Sequence, residues 1–325
     1  MRELTLAEAI REALREEMER DERVFIMGED VGVYGGAQKV TLGLYQKFGP
    51  ERVIDTPISE VAIVGAAIGA ALMGMRPVAE VMYMDFLPIP AEQILNHASM
   101  MKFMSAGKLK CPVVIRTQYS LGRIHGPQHS QFFPSWFINI PGLVVVAPST
   151  PYDAKGLLKS AIRADDPVLF IECAYLYHRL KGPVPEEEYL IPLGKADVKR
   201  KGTDATVIAI SRVVHEALAA AEELDKQGIS VEVIDPRTLN PIDKGTILES
   251  VRKTGRVIIA ADDHKTGGVS AEISAMIAEE AIEYLDGPIL RVCAPDVHIP
   301  FSPELERKYM PDKEKIIDAI RRLVK

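Results

Sequence analysis

Apolar positions follow two rhythms along this chain. Leu6, Ile10, Leu14 and Met18 recur at helical spacing behind a capping box, Thr5-Leu6-Ala7-Glu8, which predicts an N-terminal helix. Short, near-continuous apolar runs then alternate with longer stretches. Val24–Met27, Val78–Met82, Val113–Arg116, Leu143–Ala147 and Val168–Glu172 read as buried strands, and Val61–Met75, Ala91–Ser105 and Tyr152–Arg163 as the helices between them. Strands that are apolar on both faces, separated by helices, predict a parallel sheet covered on both sides. The rhythm breaks at Lys181-Gly182-Pro183-Val184-Pro185-Glu186-Glu187-Glu188, polar and proline-bearing, so residues 181–202 read as a linker after a first domain over 1–180. Alternation restarts with strands Thr206–Ile210, Val231–Asp235, Arg256–Ala260 and Ile289–Val292. Helices are predicted over Val213–Gln227, Lys244–Thr254, Ser270–Leu285 and Lys313–Val324, giving a second, smaller domain over 203–325. The fold class is therefore α/β, with two domains, each a mostly parallel sheet flanked by helices.

Composition narrows the function classes. The 325 residues carry 39 Lys+Arg against 46 Asp+Glu, a net charge of −7, which disfavours nucleic acid and anionic membrane surfaces as partners. With 47% hydrophobic and 26% charged residues the chain is neither disordered nor fibrous. The three cysteines, Cys111, Cys173 and Cys293, form no CxxC pair, which argues against a disulfide framework and a structural zinc site. The longest uncharged stretch, Val61–Met75, is 15 residues, short of the roughly 20 a membrane span needs. Met1-Arg2-Glu3-Leu4 leads at once into a charged helix without a signal-peptide core, so a cytoplasmic location is expected. No strand is followed by G-x-G-x-x-G, and there is no P-loop, G-x-S-x-G elbow or H-E-x-x-H. A nicotinamide dehydrogenase of Rossmann type and an α/β hydrolase are both disfavoured.

One carboxylate stands out. Glu60 opens a long small-residue helix, and Gly65 and Gly69 lie one turn apart on it, where another helix could approach closely. A first-turn acid is also what the helix dipole favours by itself. A helix this apolar all round, however, has no solvent face, so its Glu should point into a cleft or interface with a raised pKa. Glu60, Gly65 and Gly69 (Glu, four residues, Gly, three residues, Gly), together with Gly28-Glu29-Asp30-Val31-Gly32 and Asp55-Thr56-Pro57-Ile58-Ser59-Glu60, resemble the pyrimidine side of thiamine-diphosphate enzymes. Gln128-His129-Ser130-Gln131, Pro141-Gly142-Leu143, the string from Pro148 to Leu157 and Asp235-Pro236-Arg237-Thr238-Leu239 extend the likeness along the chain. The whole resembles the beta subunit of the decarboxylating component of a 2-oxo acid dehydrogenase complex, with a transketolase-like pyrimidine-binding domain and a transketolase C-terminal-like domain.

The resemblance implies roles. Glu60 would hydrogen-bond a ring nitrogen of the aminopyrimidine and drive formation of the thiazolium carbanion. Phe86 would pack on that ring, with Ile58 and Met82 as neighbouring wall, although plain core packing explains Met82 as well. His129 would lie at the mouth of the site and assist proton transfer and reductive acylation of a lipoyl group, whereas His125 reads as a solvated loop residue. A structural potassium ion would be held near the end of a helix by Ala161, Ile162, Ala164 and Asp166, with a further carbonyl from Val113. The Gly-Asp-Gly motif that holds magnesium on the diphosphate is missing from the sequence. The thiamine diphosphate site is thus expected to be split, with an alpha subunit supplying magnesium and the diphosphate half in an assembly of two alpha and two beta chains. A lipoyl acyltransferase component is the further partner, for which Glu280, Glu283 and Asp286 offer an acidic patch. Asp262-Asp263-His264-Lys265-Thr266-Gly267-Gly268 reads as a structural turn. The substrate is a small 2-oxo acid. Pyruvate leads, with acetoin and branched-chain 2-oxo acids as alternatives, and a split transketolase or a non-catalytic interaction subunit as remoter ones.

Overall fold

A computed structural model describes residues 1–324, which divide into two compact units. The first comprises 1–120 and 137–193, the second 121–136 and 194 onward.

In the first unit, strand β1 (Arg2–Thr5) leads into helix α1 (Leu6–Arg20). The expected capping box is formed, with the Glu8 amide donating to Thr5 Oγ1 and the Thr5 amide to Glu8 Oε2 at 2.8 Å. Strands β2 (Val24–Gly28), β3 (Val53–Asp55), β4 (Arg76–Val81), β5 (Val114–Tyr119), β6 (Val144–Val146) and β7 (Val168–Cys173) build a parallel sheet in the order β6-β7-β5-β4-β2-β3. Between them in sequence lie α2 (Leu44–Phe48), α3 (Glu60–Leu72), α4 (Met101–Met104) and α6 (Pro151–Arg163), while the short α5 (Ser135–Ile138) falls at the division between the two units. Both β5 and β7 are buried along their whole length, although β5 carries Arg116, Thr117 and Gln118 and β7 carries Glu172. Helix α6 starts where Thr150 caps it and Pro151 presets its first turn. It packs on α1 through charge as well as apolar surface. Lys155 reaches Glu12 and Glu16, Lys159 reaches Glu16 at 2.6 Å, and Arg163 reaches Glu17 at 2.7 Å.

Two expectations change here. The helix foreseen over Ala91–Ser105 is broken into a π-helical turn, Gln93–Ala98, and the short α4. At the break the Ser99 hydroxyl bonds back to the Leu95 carbonyl at 2.7 Å, a side-chain competitor for the helical ladder. The stretch read as a linker also contains structure. Lys181–Val184 (β8) pairs antiparallel with β1, and Asp197–Arg200 (β9) belongs to the second sheet. Neither strand carries an apolar alternation, because each is a short, half-exposed edge whose pairing comes from backbone groups.

In the second unit, β10 (Ala205–Ala209), β11 (Val231–Asp235), a short β12 (Thr238–Asn240), β13 (Val257–His264) and β14 (Leu290–Ala294) alternate with α7 (Val213–Asp225), α8 (Lys244–Thr254) and α9 (Val269–Ala281), and α10 (Pro303–Tyr309) and α11 (Lys313–Leu323) follow. The five-stranded sheet runs β14-β13-β10-β11-β9, parallel except for β9. Alanine-rich α7 and the apolar stripe of α11 close one side of its core around Val207, Val233, Ile258, Ile316 and Ile320. Among the described residues no helix is long and apolar enough to cross a membrane.

The Asp262-Asp263 turn is structural, as expected. Arg212 grips Asp262 with two bonds, at 2.6 and 3.0 Å, while Asp263 Oδ2 accepts the Val269 amide at 2.6 Å and so caps α9. Burial, helped by the charge of Asp262, pushes the Asp263 carboxyl up to about 7 from an ordinary 3.8, against the Val269 and Asp263 amides and the charge of Arg291. A folded pKa above the unfolded one adds stability that is complete below the unfolded value and lost as pH rises through the folded value. Lowering pH from 8 to 6 should therefore raise the melting temperature, with a slope of up to about 1.4 kcal/mol per pH unit. Asp263→Asn should flatten that slope in a calorimetric pH series; an unchanged slope would assign it to another group.

Candidate active site

Parallel strands gather their carboxyl ends on one edge of the sheet, where α/β folds bind ligands. In the first unit the backbone register fixes what lies there. Gly28 of β2 is level with Asp55 of β3 and Glu80 of β4, and Glu80 with Arg116 of β5. Beyond that row come Glu29, Thr56, Val81 and Thr117. Glycine is required in the turn after β2. A Cβ at Gly28 would stand 2.9 Å from the Glu80 carbonyl, and one at Gly32 would stand 2.3 Å from the Asp55 carboxylate. Asp55 in turn accepts the Gly32 amide at 2.6 Å. This contact ties the Gly28–Gly32 turn to the segment that carries Glu60.

Glu60 is the first residue of α3 and is 8% exposed. It lies close enough to Glu29 for its charge to help raise the Glu29 carboxyl pKa; burial of Glu29 is the larger cause, and Asp30 and Glu80 add to it. Three carboxylates, Glu29, Glu60 and Glu80, thus surround the end of the sheet. Met82 and Phe86 follow β4 directly and are half-buried, Phe86 meeting Tyr83 edge-on at 5.6 Å between ring centres. Ile58 is 83% exposed, so any ligand contact it makes is made from the surface of the chain.

Several polar atoms at this end are buried yet unbonded. Thr56 Oγ1, Thr117 Oγ1 and Gln118 Oε1 have no hydrogen-bond partner. Unmet buried polar atoms of this kind are uncommon in proteins and cluster where a ligand completes them. A buried carboxylate and an aromatic ring at this edge are the residue types that suit a flat, polar heterocycle such as an aminopyrimidine. Glu60 would meet its ring nitrogen, and Phe86 and Met82 its faces.

The floor beneath is held by charge. Arg116, 2% exposed, donates to Glu172 through Nε and a terminal nitrogen at 2.7 and 2.8 Å and to Glu80 at 2.7 Å, and the Tyr177 hydroxyl closes on Glu172. Burial drives the Glu80 carboxyl upward, opposed by Arg116. Sequence reasoning passed over Arg116, Glu80 and Glu172. Their signal was present: each is a charged residue inside one of three adjacent buried strands.

The residues that the resemblance assigns to potassium also bond within the chain. The Ile162 and Ala164 carbonyls both accept the Arg76 guanidinium at 2.8 Å, which also pairs with Asp165. The Val113 carbonyl accepts the Val168 amide, the Ala161 carbonyl the Ala164 amide, and the Asp166 carboxylate pairs with Lys102. An ion on the Ile162–Ala164 pair would face the like charge of Arg76. Arg76 and Lys102 thus bring two cations of the chain to this helix end.

His129 belongs to the second unit, in the segment Leu121–Trp136. It is half-buried, and its charge, with that of Arg123, helps lower the pKa of His125, for which burial is the main cause. The acidic patch foreseen at Glu280, Glu283 and Asp286 is partly neutralised within the chain, since Glu280 pairs with Lys244 and Asp286 with Arg256.

Comparisons with known proteins show the family and the fold. Residues 2–178 match the family model of the transketolase pyrimidine-binding domain and 194–316 that of the transketolase C-terminal domain. The chain is 48% identical to the 2-oxoisovalerate dehydrogenase subunit beta of Bacillus subtilis, covering 98% of both chains. It is 45% identical to the pyruvate dehydrogenase E1 component subunit beta of the same organism, over 100% of this chain and 99% of that one. It is 43% identical to that organism's acetoin:2,6-dichlorophenolindophenol oxidoreductase subunit beta, over 99% and 98%. A solved split-gene transketolase, described as an inactive beta4 tetramer, superposes with a TM-score of 0.81 at 23% identity over 99% of this chain and 98% of that one, a likeness of fold.

Arg116 should be the costliest single loss in the first unit. Arg116→Ala leaves two buried carboxylates without their cation, which is expected to lower stability by about 3–5 kcal/mol. Denaturant unfolding measures it; a loss below about 1 kcal/mol would mean that water or protonation compensates freely.

Proposed function

The chain belongs to the transketolase-like E1 beta subunits of the 2-oxo acid dehydrogenases, and from that premise we propose that it supplies the pyrimidine half of a thiamine-diphosphate site which decarboxylates a small 2-oxo acid of the pyruvate type and passes the acyl group to a lipoyl acyltransferase component. The observation that carries the reading is the buried Glu60 at the head of α3, at the end of a sheet where Thr56, Thr117 and Gln118 keep unbonded polar atoms. An alpha subunit completes the site, contributing magnesium and the diphosphate grip in an assembly of two alpha and two beta chains.

Thiamine diphosphate supplies, when bound, a carbon nucleophile and a sink for the electron pair released by decarboxylation. The work of this chain lies around it. Glu60 holds a proton at the aminopyrimidine ring nitrogen, and its low exposure removes the water that would compete for that bond. Phe86 and Met82 fix the ring plane. His129 acts later, on the proton balance of lipoyl acylation. The aromatic run Phe132-Phe133-Pro134-Ser135-Trp136-Phe137 in and beside the same loop favours a short acyl group, hence pyruvate, with acetoin as the second reading.

Binding and kinetics test this. The isolated chain should give a flat calorimetric trace with thiamine diphosphate and magnesium; binding near micromolar Kd, about −8 kcal/mol, would refute the split site. Reconstituted with its alpha chain, Glu60→Gln should lose about 100-fold or more in ferricyanide reduction, because the amide cannot exchange a proton with the ring. His129→Ala should slow lipoyl acylation more than ferricyanide reduction, and equal losses would move His129 to the first step. Rates with pyruvate, 3-methyl-2-oxobutanoate and acetoin in the ferricyanide assay rank the substrates.

A further inference from the structure

The segment that carries His129 is anchored by a residue far along the chain. Leu121–Trp136 packs with the second unit, although it comes directly after a strand of the first. Glu306, the fourth residue of α10, is 2% exposed. Its Oε1 accepts the Gly122 amide at 3.1 Å and the Ile124 amide at 3.3 Å, and its Oε2 accepts the Ile124 amide at 3.1 Å. Five residues upstream of Glu306, the Phe301 ring fills the space beside Gly126, where φ is +71° and a Cβ would stand 2.2 Å from the ring. Residues 301–306 thus hold 122–126 by a carboxylate on two amides and a ring on a glycine.

The arrangement is an expensive one for a loop. Ile124 has φ +63°, a left-handed conformation unfavourable for a β-branched residue by about 1–3 kcal/mol, and its side chain is 45% exposed, so no core burial offsets it. The carboxylate has been taken from water as well. Burial raises the Glu306 pKa, opposed by the two loop amides and by the charge of Arg212. Strain and desolvation maintained together on an exposed turn fix the path of the chain beyond it, and His129 lies only three residues past Gly126.

We infer that Glu306 is a positioning residue for lipoyl acylation, holding Gly122 and Ile124 so that His129 is presented in one geometry. The inference rests on the proposed role of His129 in acylation. Glu306 touches neither cofactor nor substrate; it acts through the loop. A misplacement of the reacting group by about 1 Å is enough to cost on the order of 100-fold. The expected loss for Glu306→Ala is therefore about 10- to 100-fold in lipoyl acylation with little change in ferricyanide reduction.

The test combines a structural and a kinetic readout. Hydrogen exchange of the full chain should show faster exchange over residues 121–126 in Glu306→Ala, with smaller loss in Glu306→Gln, which keeps one acceptor oxygen and the side-chain shape. Unchanged exchange overturns the anchor. In the enzyme reconstituted with its alpha chain, kcat for lipoyl acylation should order wild type, Glu306→Gln, Glu306→Ala, and Glu306→Ala/His129→Ala should be no slower than His129→Ala. Multiplicative losses in the double variant, or equal losses in both assays, would make Glu306 a general structural residue and overturn the inference. If His129→Ala slows acylation and both Glu306 variants do not, the positioning role fails while the reading of His129 stands. If His129→Ala leaves acylation intact, the reading itself fails. Both variants must retain the melting temperature and the assembly of the wild type, and Glu306→Gln keeps the comparison available should Glu306→Ala not fold.

Discussion

A single guanidinium inside the first sheet sets the terms for the rest of that unit. Arg116 bridges Glu172 on one neighbouring strand and Glu80 on the other, so β7, β5 and β4 are locked in register by charge as well as by backbone bonds. Moving such ions out of water costs several kcal/mol each, and pairing recovers this only when the geometry is near ideal. Here it is: the contacts are 2.7–2.8 Å and one pair is bidentate. A hydrophobic triad of the same volume could make a sheet as stable. What the ionic one adds is directional. It holds the end of β4, and therefore the Met82–Phe86 turn, at a fixed height relative to the unbonded Thr117 and Gln118 atoms of β5.

Much of this was legible in the sequence, for reasons that particular residues show. Buried parallel strands such as Val168–Cys173 announce themselves because both faces must be apolar. Glu60 could be found because it stands alone at the head of an uncharged helix. What could not be read falls into two kinds. Strands β8 and β9 are short edges whose pairing uses backbone groups that every residue possesses, so no side-chain pattern marks them. The Leu121–Trp136 segment and Glu306 meet across 182–184 positions, a separation no local rule spans. The end of α6 is a further case. A helix end rich in free carbonyls attracts any cation, and the chain supplies its own from Arg76, 86 and 88 residues away from the carbonyls it binds.

The two carboxylates at functional positions illustrate how context, not residue type, sets a role. Glu60 heads a helix and, in the function proposed, would be half of an exchange with a ring that only a ligand can provide. Glu306 is satisfied by backbone amides within its own unit. Both are nearly excluded from water, at 8% and 2% exposure. The second is held as an acceptor, because protonating it would weaken its bonds to the two loop amides.

Helix α3 carries the argument outward. Its buried side supplies Ile63, Val64, Ala67 and Ile68 to the core, but Val61, Ala62, Ala66, Gly69 and Met73 form an exposed apolar side, with Met73 at 85% and Ile58 just ahead of the helix at 83%. Of the two glycines, Gly65 already has an intrachain neighbour, Gln93, at 3.3 Å from where its Cβ would be, whereas Gly69 faces open space. An apolar helix face left in water is unfavourable by about 25 cal/mol for each Å², and soluble chains seldom keep one without a use. The proposed assembly gives it one. A partner laid along Gly69 and Met73 would remove that surface from water and would also cover Ile58, next to Glu60. The same association that stabilises the chain would then complete the dry wall that the buried carboxylate needs, so assembly and catalytic competence would arise from one surface.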